Sequence, residues 1–260
     1  MSNSIIAPTA IIDKSVKIGP FCVIGPNVEI GPDCVLHSHV VIKGPTKINE
    51  GNVFYQFSTI GEDTPDKKYN GEDTTLEIGK KNIFREGVTV HRGTIQDKSK
   101  TIIGDENLFM AYSHIAHDCF VGDNCIFSNN TTLAGHVTVG DYVIISGLTA
   151  IHQFCSIGNH AFVTGGSLVR KDVPPFVKAA REPLSYVGIN SVGLRRRGFD
   201  SKKIREIQNI YRLLYQKNYN NSQACEIIEA EMEASNERDE ILMFIKNSHR
   251  GIMKGNTKSN

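Results

Sequence analysis

Nine histidines stand among the 260 residues, and five of them fall at suggestive spacings. His117 to His136 is 19 positions, His136 to His152 is 16, His91 to His117 is 26, and His114 precedes His117 by three. Imidazole takes or gives a proton near neutral pH, with an ordinary pKa of ~6.5, and in its neutral form ligates transition metals. A cluster of such rings points to proton transfer or to a metal site, zinc being the sharper rival. A third reading is a non-catalytic scaffold whose regular face binds a surface or partner.

Bringing these residues to one edge requires a repeat, and the chain has one with a period of six. Stepping by six from Ile6 reaches Ile60; the phase resumes at Ile78, Phe84 and Val90, and runs again from Ile103 to Val169. All 25 slots are apolar, in a chain that is 40% apolar. Four residues after every slot stands Ala, Val, Cys, Thr, Asn or Ser. A large residue filling a narrow interior, with a small one near a corner, suits short strands wound three hexads to an 18-residue coil. Helical and simple strand periods do not return to register at six, so the reading is a parallel β-helix. Gly or Asp often follows the slot, as in Ile18-Gly19 and Val121-Gly122, and is expected to serve the turns. On such a coil 19 and 16 are each near one turn, and 26 becomes 19 once seven inserted residues are set aside. The four histidines should therefore lie on successive coils ~4.8 Å apart, with His114 beside them.

Two interruptions break the hexads, a polar stretch near 62–75 and the inserted residues near 95–101. Loops leaving a solenoid are where function concentrates. The hexads end near Val173-Pro174-Pro175; the β-helix is assigned to residues 1–185, and a linker and helical domain to 186–260. From Ser201 the apolar spacing turns to three and four, Ser222 and Asn236 are candidate caps for later helices, and the final KGNTKSN is expected to fray. Five of the six cysteines occupy the small-residue column, so they read as buried hydrophobes, and no Cys-x-x-Cys pair supports structural zinc. A formal net charge of +1 argues against nucleic acid as a partner. No apolar run approaches the ~18 residues of a membrane span, so stable membrane insertion is not expected and the cytoplasm is.

The segments His114-Ile115-Ala116-His117-Asp118-Cys119, Leu133-Ala134-Gly135-His136-Val137, Ala150-Ile151-His152-Gln153-Phe154-Cys155 and Arg195-Arg196-Arg197-Gly198-Phe199 carry a resemblance over nearly the whole chain. They resemble the cytoplasmic UDP-N-acetylglucosamine 3-O-acyltransferases that begin lipid A synthesis. The resemblance implies a mainly β fold, a left-handed parallel β-helix of hexapeptide repeats with a C-terminal α-helical domain, assembled as a homotrimer with sites in the clefts between subunits. It implies transfer of a 3-hydroxyacyl group from acyl carrier protein to the 3-hydroxyl of UDP-N-acetylglucosamine, with no cofactor and no metal. By the same likeness His117 matches the general base, Asp118 the residue that orients it, and Gly135 the backbone donor to the oxyanion. Consecutive residues on an extended strand point to opposite faces, so a direct contact between Asp118 and the His117 ring requires a departure from strand geometry.

Asp66 and Lys68 match sugar and donor contacts, and His91, His114, His136 and His152 match residues lining the cleft. Gln153, Asn190, Arg196 and Arg197 match positions near the nucleotide, and Gly165 the position that sets acyl length, where glycine leaves a long groove open. Two segments depart from the family pattern: Val192 replaces an acidic residue near the uracil, and Arg181-Glu182-Pro183 replaces a segment with a histidine near the acyl tail. Basic residues gather between Arg170 and Lys203, a placement that suits an acidic carrier protein on an otherwise neutral chain.

Overall fold

The computed structural model describes residues 3–216 and 219–255. The hexads form strands of mostly two residues that stack into three sheets, the faces of a left-handed parallel β-helix. Sheet I has nine strands, from Ile5–Ile6 to Leu168–Val169. Sheet II has eight, from Ile11–Ile12 to Ser156–Ile157, and sheet III starts at Lys17–Ile18. Partners lie 18 residues apart, as Ile115 with Leu133 and Leu133 with Ile151, and 30 or 25 apart where the two loops leave the coil.

Twenty-two of the 25 apolar slots are buried. The others, Ile6, Ile12 and Ile18, belong to the first coil, on whose N-terminal side no described strand stacks. Inside, Phe54, Phe84 and Phe109 stack at 4.8 and 4.9 Å, and Phe127 meets Phe109 edge-on at 5.1 Å. The asparagines of the small-residue column bond to the next coil in a ladder. Asn52 Oδ1 accepts from Asn82, Asn82 Oδ1 from the Asn107 N–H, and Asn107 Oδ1 from the Cys125 N–H. All six cysteines are free and buried, and burial lifts the Cys119 thiol to about 12.

The corners set the geometry on which the site depends. From Glu106 to His160 a non-glycine residue with φ between 56° and 64° recurs every six positions, three after each slot. The turn is made there, and not by the Gly or Asp directly after the slot. Gly122 serves close stacking instead: a Cβ on it would lie 2.2 Å from Asp141 Oδ1, the acceptor of the Asp123 N–H.

Beyond Val169 sheet III continues through Val177–Ala180, the antiparallel Ser185–Ile189, and Lys254–Gly255 from near the chain's end. Helices α1 (Ser191–Arg196), α2 (Ser201–Gln216), α3 (Asn221–Glu231) and α4 (Asn236–Lys246) complete the C-terminal part. Helix α2 buries Ile204, Ile207, Ile210 and Tyr211, whose hydroxyl donates to Pro175 O at 2.6 Å. The caps differ from those expected. Asn220, not Ser222, starts α3, because Asn220 and Gln223 bond each other reciprocally, and Ser235, one residue before Asn236, caps α4. Lys254 and Gly255 pair with Ser185 and Tyr186, so the first two residues of the expected frayed tail form a strand; 256–260 lie outside the described residues. Among the described residues no helix is long and apolar enough to cross a membrane.

Candidate active site

Where sheet I turns into sheet II, the register stacks three adjacent positions. His91, Ala116, Ala134 and His152 share the first, His117, Gly135 and Gln153 the second, and Asp118, His136 and Phe154 the third. The histidines share one edge but form a staircase, because spacings of 19 and 16 differ from 18 by one and two positions.

Asp118 occupies a left-handed corner, with φ 56°. That bend cancels the alternation of an extended strand and turns the carboxylate back onto its neighbour: His117 Nδ1 lies 2.9 Å from Asp118 Oδ2. The carboxylate is fully buried and also accepts from the Thr94 N–H at 3.0 Å and the Thr94 hydroxyl at 2.6 Å. Burial alone would push the Asp118 carboxyl up, but hydrogen bonds from His117 and Thr94 outweigh it and hold the group below its ordinary value. An ionised Asp118 accepts the Nδ1 proton of His117 and leaves Nε2 with its lone pair. Gly135 sits against that ring: a Cβ there would be 2.5 Å from Cε1 and 2.6 Å from Nε2.

Two neighbouring rings, His91 and His114, are pushed toward the neutral form. Burial, then the charges of His114 and His117, lower His91 to about 4, and burial lowers His114, whose Nδ1 lies 2.7 Å from the Thr89 hydroxyl. His136 meets His117 edge-on at 4.9 Å, stacks on Phe154 at 4.4 Å, and places Nδ1 2.8 Å from Asp97 Oδ2. His152 and Gln153 are exposed at the next coil. Arg92, itself buried, ties down the first loop through Gly61 O, Asp63 and the Tyr69 hydroxyl. Within that loop Asp66 Oδ1 accepts the Lys68 N–H at 3.0 Å, and no hydrogen bond or ion pair among the described residues joins either one to the histidines.

Comparison with known proteins decides the family. Residues 172–253 match the family described as UDP N-acetylglucosamine O-acyltransferase, domain 2, and residues 9–44 and 100–135 match the bacterial transferase hexapeptide, six repeats. The chain is 60% identical over 216 residues to the acyl-(acyl-carrier-protein)–UDP-N-acetylglucosamine O-acyltransferase of Psychromonas ingrahamii, covering 83% of this chain and 82% of that one. The chain belongs to the UDP-N-acetylglucosamine O-acyltransferase family. The crystal structure of a UDP-N-acetylglucosamine acyltransferase from Bacteroides fragilis superposes with a TM-score of 0.95 at 43% identity, covering 96% of this chain and 98% of that one. The one from Acinetobacter baumannii gives 0.94 at 45%, covering 98% and 99%.

In this O-acyltransferase the remaining expected residues lie elsewhere on the chain. Asn190 is buried; it caps α1 through Gly193 N and donates to His160 O at 2.9 Å. With Phe162, Lys178, Val192 and Arg196 it lines a cavity of about 350 Å³ on the outer side of sheet III. Arg197 lies 5.1 Å over the Tyr142 ring. In the basic segment Lys203 is paired with Glu206 and Glu237. Gly165 is exposed at the corner between sheets III and I, three coils on from Ala111. Thr94, Asp97 and Arg92 were not singled out from the sequence. The signal was their place at or beside the two loops, and an arginine directly after a site histidine. His117, Asp118 and His136 bring ligand atoms within 4.8 Å of one another, a spacing a divalent cation can bridge. In the structure the Nδ1 atoms of both rings are instead engaged by carboxylates.

Proposed function

We propose that this enzyme transfers a 3-hydroxyacyl group from acyl carrier protein to the 3-hydroxyl of UDP-N-acetylglucosamine in the cytoplasm, opening lipid A synthesis, with His117 as general base. The observation that carries the mechanism is the His117–Asp118 pair, which leaves Nε2 as a proton acceptor. A sugar hydroxyl is too weak an acid to attack a thioester at pH 7 unaided. His117 Nε2 takes the O3 proton as O3 bonds to the thioester carbonyl carbon, and the π electrons move onto the oxygen. Asp118 stabilises the imidazolium so formed. The Gly135 N–H, which has no acceptor among the described residues, is free to donate to the oxyanion. When the carbonyl re-forms, the C–S bond breaks and the leaving thiolate takes the proton back from His117.

A site shared between subunits accounts for the separation of the other residues. The cavity with Asn190 and Arg196 lies on sheet III, while His117 lies where sheet I meets sheet II. The two lie on different faces of one chain, and a cleft in a homotrimer would bring them to a single nucleotide sugar. Exposed Phe21, Phe57, Tyr112 and Leu148 along the corner between sheets III and I also favour burial against a neighbour. In the same reading Asp66, Lys68, His91, His114, His136, His152, Gln153 and Arg197 contribute to the cleft, and Gly165 leaves room for a long acyl chain.

The test is product mass from purified protein with UDP-N-acetylglucosamine and a panel of 3-hydroxyacyl carrier proteins, beside sedimentation and metal analysis. O-acylated sugar nucleotide from a trimer is expected. Stoichiometric zinc at the histidines would favour a metal hydrolase, and a stable monomer would remove the shared site.

A further inference from the structure

We propose that Asp97 is a positioning residue for acyl transfer, engaging His136 so that it does not compete with His117 for Asp118. The inference rests on the acyl-transfer reading and adds a residue to it. Two imidazoles and two carboxylates meet at this corner, and the structure pairs them one to one. Asp118 Oδ2 is 2.9 Å from His117 Nδ1, and Asp97 Oδ2 is 2.8 Å from His136 Nδ1. The crossed contact is close: His136 Nδ1 lies only 4.0 Å from Asp118 Oδ2. A shift of about 1 Å would bring it within the ~3 Å of an N–H···O hydrogen bond.

The inserted loop supplies both anchors. Thr94 at its start holds the Asp118 carboxylate through its N–H and hydroxyl. The Ser99 N–H donates back to Thr94 O at 3.0 Å, folding the loop so that Asp97 reaches over His136. His136 is sandwiched, stacked on Phe154 and edge-on to His117, so its plane is set by packing and its Nδ1 direction by Asp97. Without the Asp97 carboxylate, the nearest described anion for the Nδ1 proton is Asp118. An Asp118 shared between two rings holds His117 less firmly in the tautomer that leaves Nε2 free. Asp97 need not touch substrate to matter. It acts through His136, as partners beyond the reacting groups commonly fix a histidine's tautomer and orientation.

The test combines kinetics with 15N NMR of the histidine side chains on the full-length protein. Asp97→Ala is expected to lower kcat about tenfold, with KM for the sugar nucleotide within about twofold; tenfold corresponds to about 1.4 kcal/mol in the barrier. Asp97→Asn, whose Oδ1 still accepts from Nδ1–H, should retain most of the activity. In a His136→Phe background, whatever its own rate, Asp97→Ala should cost nothing further. The NMR arm needs no substrate. The wild-type protein should show His117 protonated on Nδ1, and the Asp97→Ala protein a mixture of tautomers. An unchanged His117 tautomer, or an equal loss of kcat in the His136→Phe background, would overturn the proposal by making Asp97 a loop-stabilising residue only. If the wild-type protein transfers no acyl group, the functional reading fails, while the NMR comparison still decides whether Asp97 keeps His136 off Asp118.

Discussion

Replacing Gly135 by Ala tests the fit between the backbone and the His117 ring. The new Cβ would stand 2.5 Å from Cε1, 2.6 Å from Nε2 and 3.1 Å from Nδ1. Carbon atoms pack at about 3.5–4.0 Å, so the ring must retreat by roughly 1 Å. The 2.9 Å bond to Asp118 would then stretch beyond hydrogen-bonding range. A misplacement of about 1 Å in a reacting group can cost about 100-fold, and loss of a general base costs about 10²–10⁴-fold, so kcat should fall by about two orders of magnitude. Gly135 does not have a positive φ, so alanine is tolerated by the backbone and the thermal midpoint should move by only a few degrees. Initial rates against UDP-N-acetylglucosamine and the thermal midpoint would be measured for Gly135→Ala, His117→Ala and the double variant. The double variant should be no slower than His117→Ala, since both changes remove one unit of catalysis. A Gly135→Ala enzyme with wild-type kcat would refute the placement of the ring against this residue.

Other outcomes follow from buried titratable groups and from the groove. Burial, then the charge of Arg197, lower His160 to about 4. The unfolded chain binds this proton near 6.5 and the folded one only near 4, so stability falls as pH drops through that window. Urea midpoints of His160→Phe should depend less on pH between 4.5 and 6.5 than those of the wild type; parallel curves would contradict the assignment. Glu240 has the opposite sign: burial, with Glu237 and Asp141 nearby and a hydrogen bond from Asn159 opposing, raises it to about 7. The folded protein keeps that proton up to about 7 and the unfolded one loses it near 4.5, so stability falls as pH rises between them. Glu240→Gln should therefore gain about 1–2 kcal/mol at pH 8, allowing for partial solvent screening, and almost nothing at pH 4.5. Gly165→Met should shift donor preference toward shorter acyl chains, by up to about 0.8 kcal/mol for each methylene displaced from the groove. An unchanged donor profile would place the length determinant elsewhere.

The strand positions were legible because burial on a six-residue period leaves few alternatives, and Phe54, Phe84 and Phe109 stack inside as that period requires. Corner conformation was less legible. A rule for extended strands separates His117 from Asp118, yet the positive φ of Asp118 joins them, and nothing in residue type marks a corner that accepts Phe, Tyr, Leu, His and Asp alike. The loop contacts were illegible for a different reason. Asp97 reaches a ring 39 residues away, and Arg92 holds a loop that left the coil about 30 residues earlier, so neither partner follows from local pattern. Asn190 shows a third limit: its side chain bonds Gly193 and His160, a structural duty that a motif match does not record. Helix caps turned on differences of two residues and one, Asn220 for Ser222 and Ser235 for Asn236, which only the local hydrogen bonds resolve.

The most direct measurement is the single-turnover rate of acyl transfer to UDP-N-acetylglucosamine by His117→Ala, with its fold and assembly checked against the wild type. The account predicts a rate at least about 100-fold below wild type, with the fold intact, because Nε2 of His117 is the atom that accepts the sugar proton. A His117→Ala enzyme that is fully folded and transfers the acyl group at close to the wild-type rate would contradict it.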